Sequence, residues 1–249
     1  MSQAHFVKIM MPEPSHQTRR QRLEAREESI IGAAQAEFLE NGFDGAKVAG
    51  IARRAGVAEG TLYLYFRNKN ALLGAVVGSF YQRLTEGAAS GVIEYPTSAE
   101  RLEFLARHHL QGCLAEWSIL ELAVPAFYQS GKYRDSEFFG FNRNYVAVFD
   151  NVVREGINRE EIRDDLPLHM MRDLFYGALE HSVRTCMVRG RDLEDEQAIA
   201  HAASQVMEMV RPAFGLHVVE KSKLESNLQS VAQRLEDVAA RLETARLSN

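Results

Sequence analysis

Two cysteines in 249 residues are too few to staple a fold. Cys113 and Cys186 both sit inside helical patterns, so they read as reduced thiols of a cytosolic chain rather than a disulfide framework. No apolar stretch approaches the ~20 residues that span a bilayer, which excludes a membrane helix. Met1–Gln21 lacks the apolar run of a signal peptide and carries His5, Lys8, Glu13, Arg19 and Arg20 instead. These absences predict a cytoplasmic protein with no membrane partner. No alternating strand pattern occurs anywhere, which leaves an all-α class. Gly-rich phosphate loops, CxxC pairs and HExxH runs are also missing. The remaining candidates for catalysis, Glu180-His181, His108-His109 and Cys113, are explained more simply as core or surface side chains. The chain reads as a non-enzyme that needs no cofactor.

The composition, 46% hydrophobic and 25% charged, is that of a globular protein able to bury a core. Its charge is informative only when divided. Residues 1–83 carry 11 Lys and Arg against 8 Asp and Glu, a net of +3, whereas the remaining residues carry a net of −8. A basic head on an acidic body points to a polyanion partner at the N-terminal end.

Residues 1–21 contain Pro12 and Pro14 without periodicity and read as a flexible arm. From Arg22 to Glu40, the apolar residues Leu23, Ile30, Ile31, Ala34, Phe38 and Leu39 fall at helical spacing, and Asn41-Gly42 stops the helix. A helix of barely two turns follows from Val48 to Ala55, then a tight turn at Gly56-Val57, then a short helix from Glu59 to Phe66. Two short helices around a glycine turn, with Ile51, Ala52, Leu62 and Phe66 inward, make a helix-turn-helix over about 46–66. Its second helix can enter a major groove. Thr61, Tyr63, Leu64 and Tyr65 lie near or on its surface, and Arg53 and Arg54 read as a solvated face. Longer helices are expected near 69–90, 98–116, 118–129, 135–156, 168–189, 194–214 and 217–246.

The run from Ile51 through Ala55-Gly56-Val57 and Gly60-Thr61-Leu62-Tyr63-Leu64-Tyr65-Phe66 to Lys69 resembles the signature of the tetracycline-repressor (TetR) family. Ile31, Ala34, Phe38 and Asn41-Gly42-Phe43 upstream match that family's first helix, and Leu72-Leu73 downstream match the start of its fourth. The resemblance covers about fifty residues. It implies an N-terminal three-helix DNA-binding domain at 22–83 and a helical ligand-binding and dimerisation domain at 84–215. It implies phosphate contacts from Tyr63 and Lys69, base-facing positions at Glu59, Gly60 and Thr61, and Tyr65 further along. A Tyr hydroxyl and a Lys ammonium suit phosphate oxygens. Glu59 suits cytosine N4, and Thr61 suits a thymine methyl or a phosphate. One departure matters: the family often has Thr or Ser before the second helix, where this chain has Ala46-Lys47. The helix cap is either lost or supplied by another group, and Lys47 then offers phosphate an electrostatic contact. The family's logic further implies a homodimer on a palindromic double-stranded operator, repressing until an effector binds.

The body is read from pattern alone. Its aromatic density between Leu102 and Phe149 suits a packed core or a cavity for a small apolar effector. His108, His109, Trp117, Phe127, Phe149 and Phe175 are the candidate lining. The Gly-Thr-Leu-Tyr-Leu-Tyr-Phe wording is similar to that of family members responding to fatty acyl-CoA, which inclines the effector that way. Alternatives are a metal- or thiol-responsive regulator using His108, His109, Cys113 or Cys186, and an interaction module working through the tail. Helices near 168–189 and 194–214 supply the expected dimer faces. In 216–249, Leu224, Leu228, Val231, Leu235, Val238, Leu242 and Ala245 form a heptad seam. It either joins chains, up to a higher oligomer, or packs back on its own body.

Overall fold

The structure, a computed structural model, describes residues 18–128, 136–188 and 196–216, with Gln233; the side chains of 123–128 are outside that description. The heptad segment expected over 216–249 therefore lies outside the described residues, apart from Leu216 and Gln233. Every described element is a helix: α1 (Arg19–Gly45), α2 (Val48–Arg54), α3 (Glu59–Tyr65), α4 (Lys69–Val92), α5 (Ser98–Ala115), α6 (Trp117–Tyr128), α7 (Glu137–Asn158), α8 (Leu168–Val188) and α9 (Glu196–Phe214). None of them is long and apolar enough to cross a membrane.

Two boundaries differ from the sequence reading. The arm expected over 1–21 gives way to helix at Arg19, because Thr18 and Gln21 form a reciprocal capping box. That box satisfies orphan amides at the helix start. Arg20 then pairs with Glu24 one turn on. At the other end Gly42 does leave the helix, with φ 67°, but one further turn follows to Gly45, so the expected stop is a kink. The face assignment also needs correction. Ile30, Ala34 and Phe38 are fully buried, whereas Leu23 and Leu39 are 49% exposed. Leu39 is rotated about 100° from Phe38, and residues 19–29 are exposed throughout.

Two compact units emerge. One comprises residues up to Gly87 together with Gly112–Val146; the other comprises Ala88–Gln111 and the residues from Ala147 on. The sequence-based division at 83/84 falls inside α4. The first unit holds the head: Ile30, Ala34, Phe38, Ile51, Leu62, Phe66, Leu72 and Val77 form one core, joined by Ile119 of α6 and Phe138 of α7. α1 packs against both α2 and α6. In the second unit α8 packs on α9. Phe149, Phe175, Tyr176 and Phe214 make an aromatic centre there, with ring centroids 4.9–6.2 Å apart. Arg172 grips Asp150 through two bonds of 2.9 and 2.6 Å. Thr97 and Glu100 cap α5 in the same reciprocal manner as Thr18 and Gln21.

Candidate DNA-binding site

The two short helices of the head are set by their turn. The amide of Val57 donates to the carbonyl of Ala52 at 3.0 Å, and that of Gly56 to Arg53 at 3.3 Å. This is the paired bonding of a Schellman motif, which places Gly56 in the left-handed region, at φ 65°. Val57 packs against the head core. α3 then starts at Glu59 and buries Leu62, while Phe66 closes its end. Asn68 accepts a bond from the amide of Ala71 at 2.8 Å and so caps α4.

No side chain of its own caps α2. The missing partner comes from α1. Glu37 is 6% exposed, beneath the start of α2, and its Oε1 accepts from the amide of Lys47 at 3.4 Å. Its other oxygen accepts from Arg54 Nε at 3.0 Å. Arg54 also pairs with Glu40, so this arginine, exposed as expected, is tied to α1 by two carboxylates. Gly50 makes room for this carboxylate: a Cβ there would lie 2.6 Å from Glu37 Oε1. The hydrogen bond from Arg54 holds the Glu37 carboxyl below its usual pKa, opposed by burial. Sequence reasoning missed Glu37, because a Glu in an amphipathic helix normally reads as solvated. The uncapped Ala46-Lys47 and the glycine at 50 were the available signals.

The head brings the expected DNA contacts onto α2, α3 and the start of α4. Lys47 is exposed at the N-cap of α2. Glu59 and Gly60 are exposed, Thr61 is half-buried, and Tyr63 is 50% exposed. Tyr65 packs partly against the head core. Lys69 is more committed than expected: Nζ donates to the carbonyls of Asp44 at 3.1 Å and Ala46 at 3.3 Å, and lies 4.7 Å from the centroid of the Phe43 ring. It closes the carbonyl end of α1.

The candidate effector lining does not gather in one unit. Trp117 is half-buried at the start of α6 in the first unit, and the Phe127 side chain lies outside the described residues. His108, His109, Phe149 and Phe175 belong to the second unit. Phe149 and Phe175 are fully buried against each other, and His108 stacks on Phe104. His109 is buried edge-on to Tyr176. Burial, with the neighbouring His108 adding to it, pushes its pKa down to about 3, so it is neutral at pH 7. Among the described residues no group of three His, Cys, Asp or Glu side chains could hold a metal. In the first unit a groove of about 940 Å³ is walled by Ile31, Tyr81 and Phe141 and rimmed by Glu24, Glu27 and Glu28.

Two short helices held on a Schellman turn, with the second exposing a polar and aromatic face, form the reading head of a DNA-binding transcriptional regulator. Residues 30–76 match the bacterial regulatory proteins of the tetR family. Residues 82–210 match the C-terminal region of YsiA-like proteins. The chain belongs to the tetR family. It is 26% identical over 192 residues to the fatty acid metabolism regulator protein of Bacillus subtilis, covering 76% of this chain and 94% of that protein. It is 32% identical over 181 residues to the HTH-type transcriptional regulator YdgC of the same organism, covering 69% and 85%. The crystal structure of FadR from B. subtilis in complex with stearoyl-CoA superposes with a TM-score of 0.62 at 26% identity, over 74% of this chain and 96% of that one.

Two pH effects follow. Glu37 has a lowered pKa, so its contribution is present above the unfolded carboxylate range and is lost as pH falls through its folded value. Thermal melts of Glu37→Gln should show a lower Tm at pH 7 and a shallower loss on acidification below about pH 4.5 than wild type. Parallel acid limbs in the two proteins would remove the assigned role. His109 is neutral in the fold, and its unfolded form takes a proton below about pH 6.5. Its contribution is therefore present above that pH and lost as pH falls toward about 3. Between pH 7 and pH 5, denaturant unfolding should lose about 2 kcal/mol that His109→Phe does not lose. Equal losses in both proteins would show that His109 is protonated in the fold.

Proposed function

We propose that the chain is a repressor that holds a palindromic operator as a homodimer and leaves it when fatty acyl-CoA, or a similar apolar effector, binds the body. The observation that carries this reading is the likeness to a FadR in complex with stearoyl-CoA, at a coverage that takes in nearly all of that chain. We assign Tyr63, Lys47 and Lys69 to phosphate, and Glu59, Gly60 and Thr61 to the base-facing side, with Tyr65 further along where it packs partly on the head core. An ammonium has three donors; two of those on Lys69 are used within the head, which leaves one for phosphate. We assign the apolar effector to the body, with His108, His109, Phe149 and Phe175 of the second unit as candidate lining. The carboxylate-rimmed groove along α1 is a poor match, since its glutamates would repel the phosphates of a CoA headgroup.

Dimerisation is assigned to α8 and α9. Ile199, Val206 and Val210 are buried within the protomer, while Met170, Leu174 and Met209 are 54%, 42% and 60% exposed. Gly177 has no neighbouring atom within 4 Å of an added Cβ, so another helix can come close there. Release of DNA requires that the effector bind the DNA-incompetent arrangement more tightly. Glu116 is the natural coupling point. Its carboxylate accepts from Gln35 Nε2 of α1 at 2.7 Å and from Arg83 Nη2 of α4 at 2.9 Å, between the last residue of α5 and the first of α6.

Titrating a protein–operator complex with stearoyl-CoA should weaken DNA binding by about 5–150-fold, the usual range of such coupling. Glu116→Ala should still bind both partners but show a smaller shift. Tight binding of stearoyl-CoA with unchanged DNA affinity would reject it as the inducer. Leu174→Glu should give a monomer by light scattering, with a weaker grip on the operator. A dimer of unchanged concentration dependence would place the interface elsewhere.

A further inference from the structure

The sequence places polar side chains at the base-reading positions, but the helix places an apolar strip at its outermost line. In α3, Leu62 is fully buried and marks the inward direction. Each residue turns about 100°, so Gly60 and Leu64 each lie about 20° from the line opposite Leu62. Thr61 and Tyr63 stand about 100° to either side of Leu62. Exposure agrees with this geometry: Leu64 is 84% exposed, Tyr63 is 50% exposed and Thr61 is half-buried. Gly60 has no protein atom within 4 Å of an added Cβ. When such a helix lies in a major groove, its flanks meet the phosphate walls and its outermost line meets the base edges. A single exposed leucine on a surface needs no explanation. One at the centre of a reading face, a turn after a glycine that lets the backbone come close, does.

We propose that Leu64, with Gly60 beneath it, reads the 5-methyl group of a thymine in each half-site. The thymine methyl is the apolar feature that the major groove presents. A leucine with no hydrogen-bonding atom can distinguish thymine from cytosine through that methyl alone. Thr61 is thereby moved from the floor of the groove toward its wall, where its hydroxyl suits phosphate or sugar. The inference rests on the DNA-reading assignment of the head and adds to it the residue that sets one base preference.

The test uses duplexes selected from a random pool by the full-length wild-type protein, with each thymine replaced in turn by deoxyuridine, which removes only the methyl. At one position per half-site, deoxyuridine should weaken wild-type binding about fourfold, the effect of one buried carbon group. Leu64→Ala should bind the thymine and uracil forms of that position equally and should melt like wild type, since its side chain is in solvent. Gly60→Ala meets no protein atom, so it should fold normally yet lose affinity for the selected duplex by holding the helix off the bases. If no position responds to deoxyuridine, or Leu64→Ala keeps the wild-type discrimination, Leu64 does not read thymine. Wild-type affinity in Gly60→Ala would likewise overturn the close approach. Failure of the wild-type protein to select any duplex would overturn the DNA-reading assignment itself, and this inference with it.

Discussion

Seven-residue helices do not persist by themselves in water, because nucleating a helix fixes several residues for very few hydrogen bonds. α2 and α3 each have that length, so the reading surface exists only while α1 and α4 hold it. Ile51, Ala52, Leu62 and Phe66 supply the apolar half of the hold against Ile30, Ala34, Phe38, Leu72 and Val76. Glu37 supplies the polar half. It reaches the amide that begins α2 and the guanidinium near the end of α2, and so fixes that helix at both ends from one point. A cap from the helix's own N-cap residue would be local. A cap from α1 ties the orientation of α2 to the helix that also packs on α6, so the position of the DNA-reading surface depends on contacts outside it.

Much of this was legible in the sequence, and the reason is physical. Periodicity reports burial of one face, so long helices such as α5 and α8 fell within a residue or two of their expected spans. Gly56 and Val57 announced the turn because a left-handed residue sets up that backbone hydrogen-bond pair and an apolar one after it packs back on the helix. What periodicity does not report is which polar side chain reaches inward. Glu37 and Glu40 differ little in the sequence, yet one is buried and the other exposed. Arg54 is exposed as expected, but its pairing stayed hidden because the two partners are 17 and 14 residues away. Lys69 was read for its charge, while its bonds to the carbonyls of Asp44 and Ala46 depend on a kink at Gly42 that the sequence pattern presented as a stop.

The body obeys a different constraint. Aromatic rings fill the centre of the second unit, and His109 is buried among them, so the fold selects its neutral form. A neutral imidazole presents one donor and one acceptor, so it can take part in hydrogen bonding without bringing a charge into an apolar core. A charged group at that depth would carry a large desolvation penalty. The same surroundings therefore disfavour any ionised group in that centre.

Coupling between these regions requires an element with two arrangements that DNA and effector favour differently. In the switch proposed above Glu116 is the contact assigned to that element, because it joins α1 and α4 at the point where α5 ends and α6 begins. Its exposure is intermediate, so water can replace either bond when the helices shift, and the energetic difference between arrangements stays small. That is what a switch needs: a few kcal/mol of bias can move the population across, whereas a deeply buried ion pair would lock one state. The polar contacts thus divide by task. The buried carboxylate at Glu37 ties both ends of α2 to α1, and the partly exposed carboxylate at Glu116 ties α1 to α4 through bonds that water can replace.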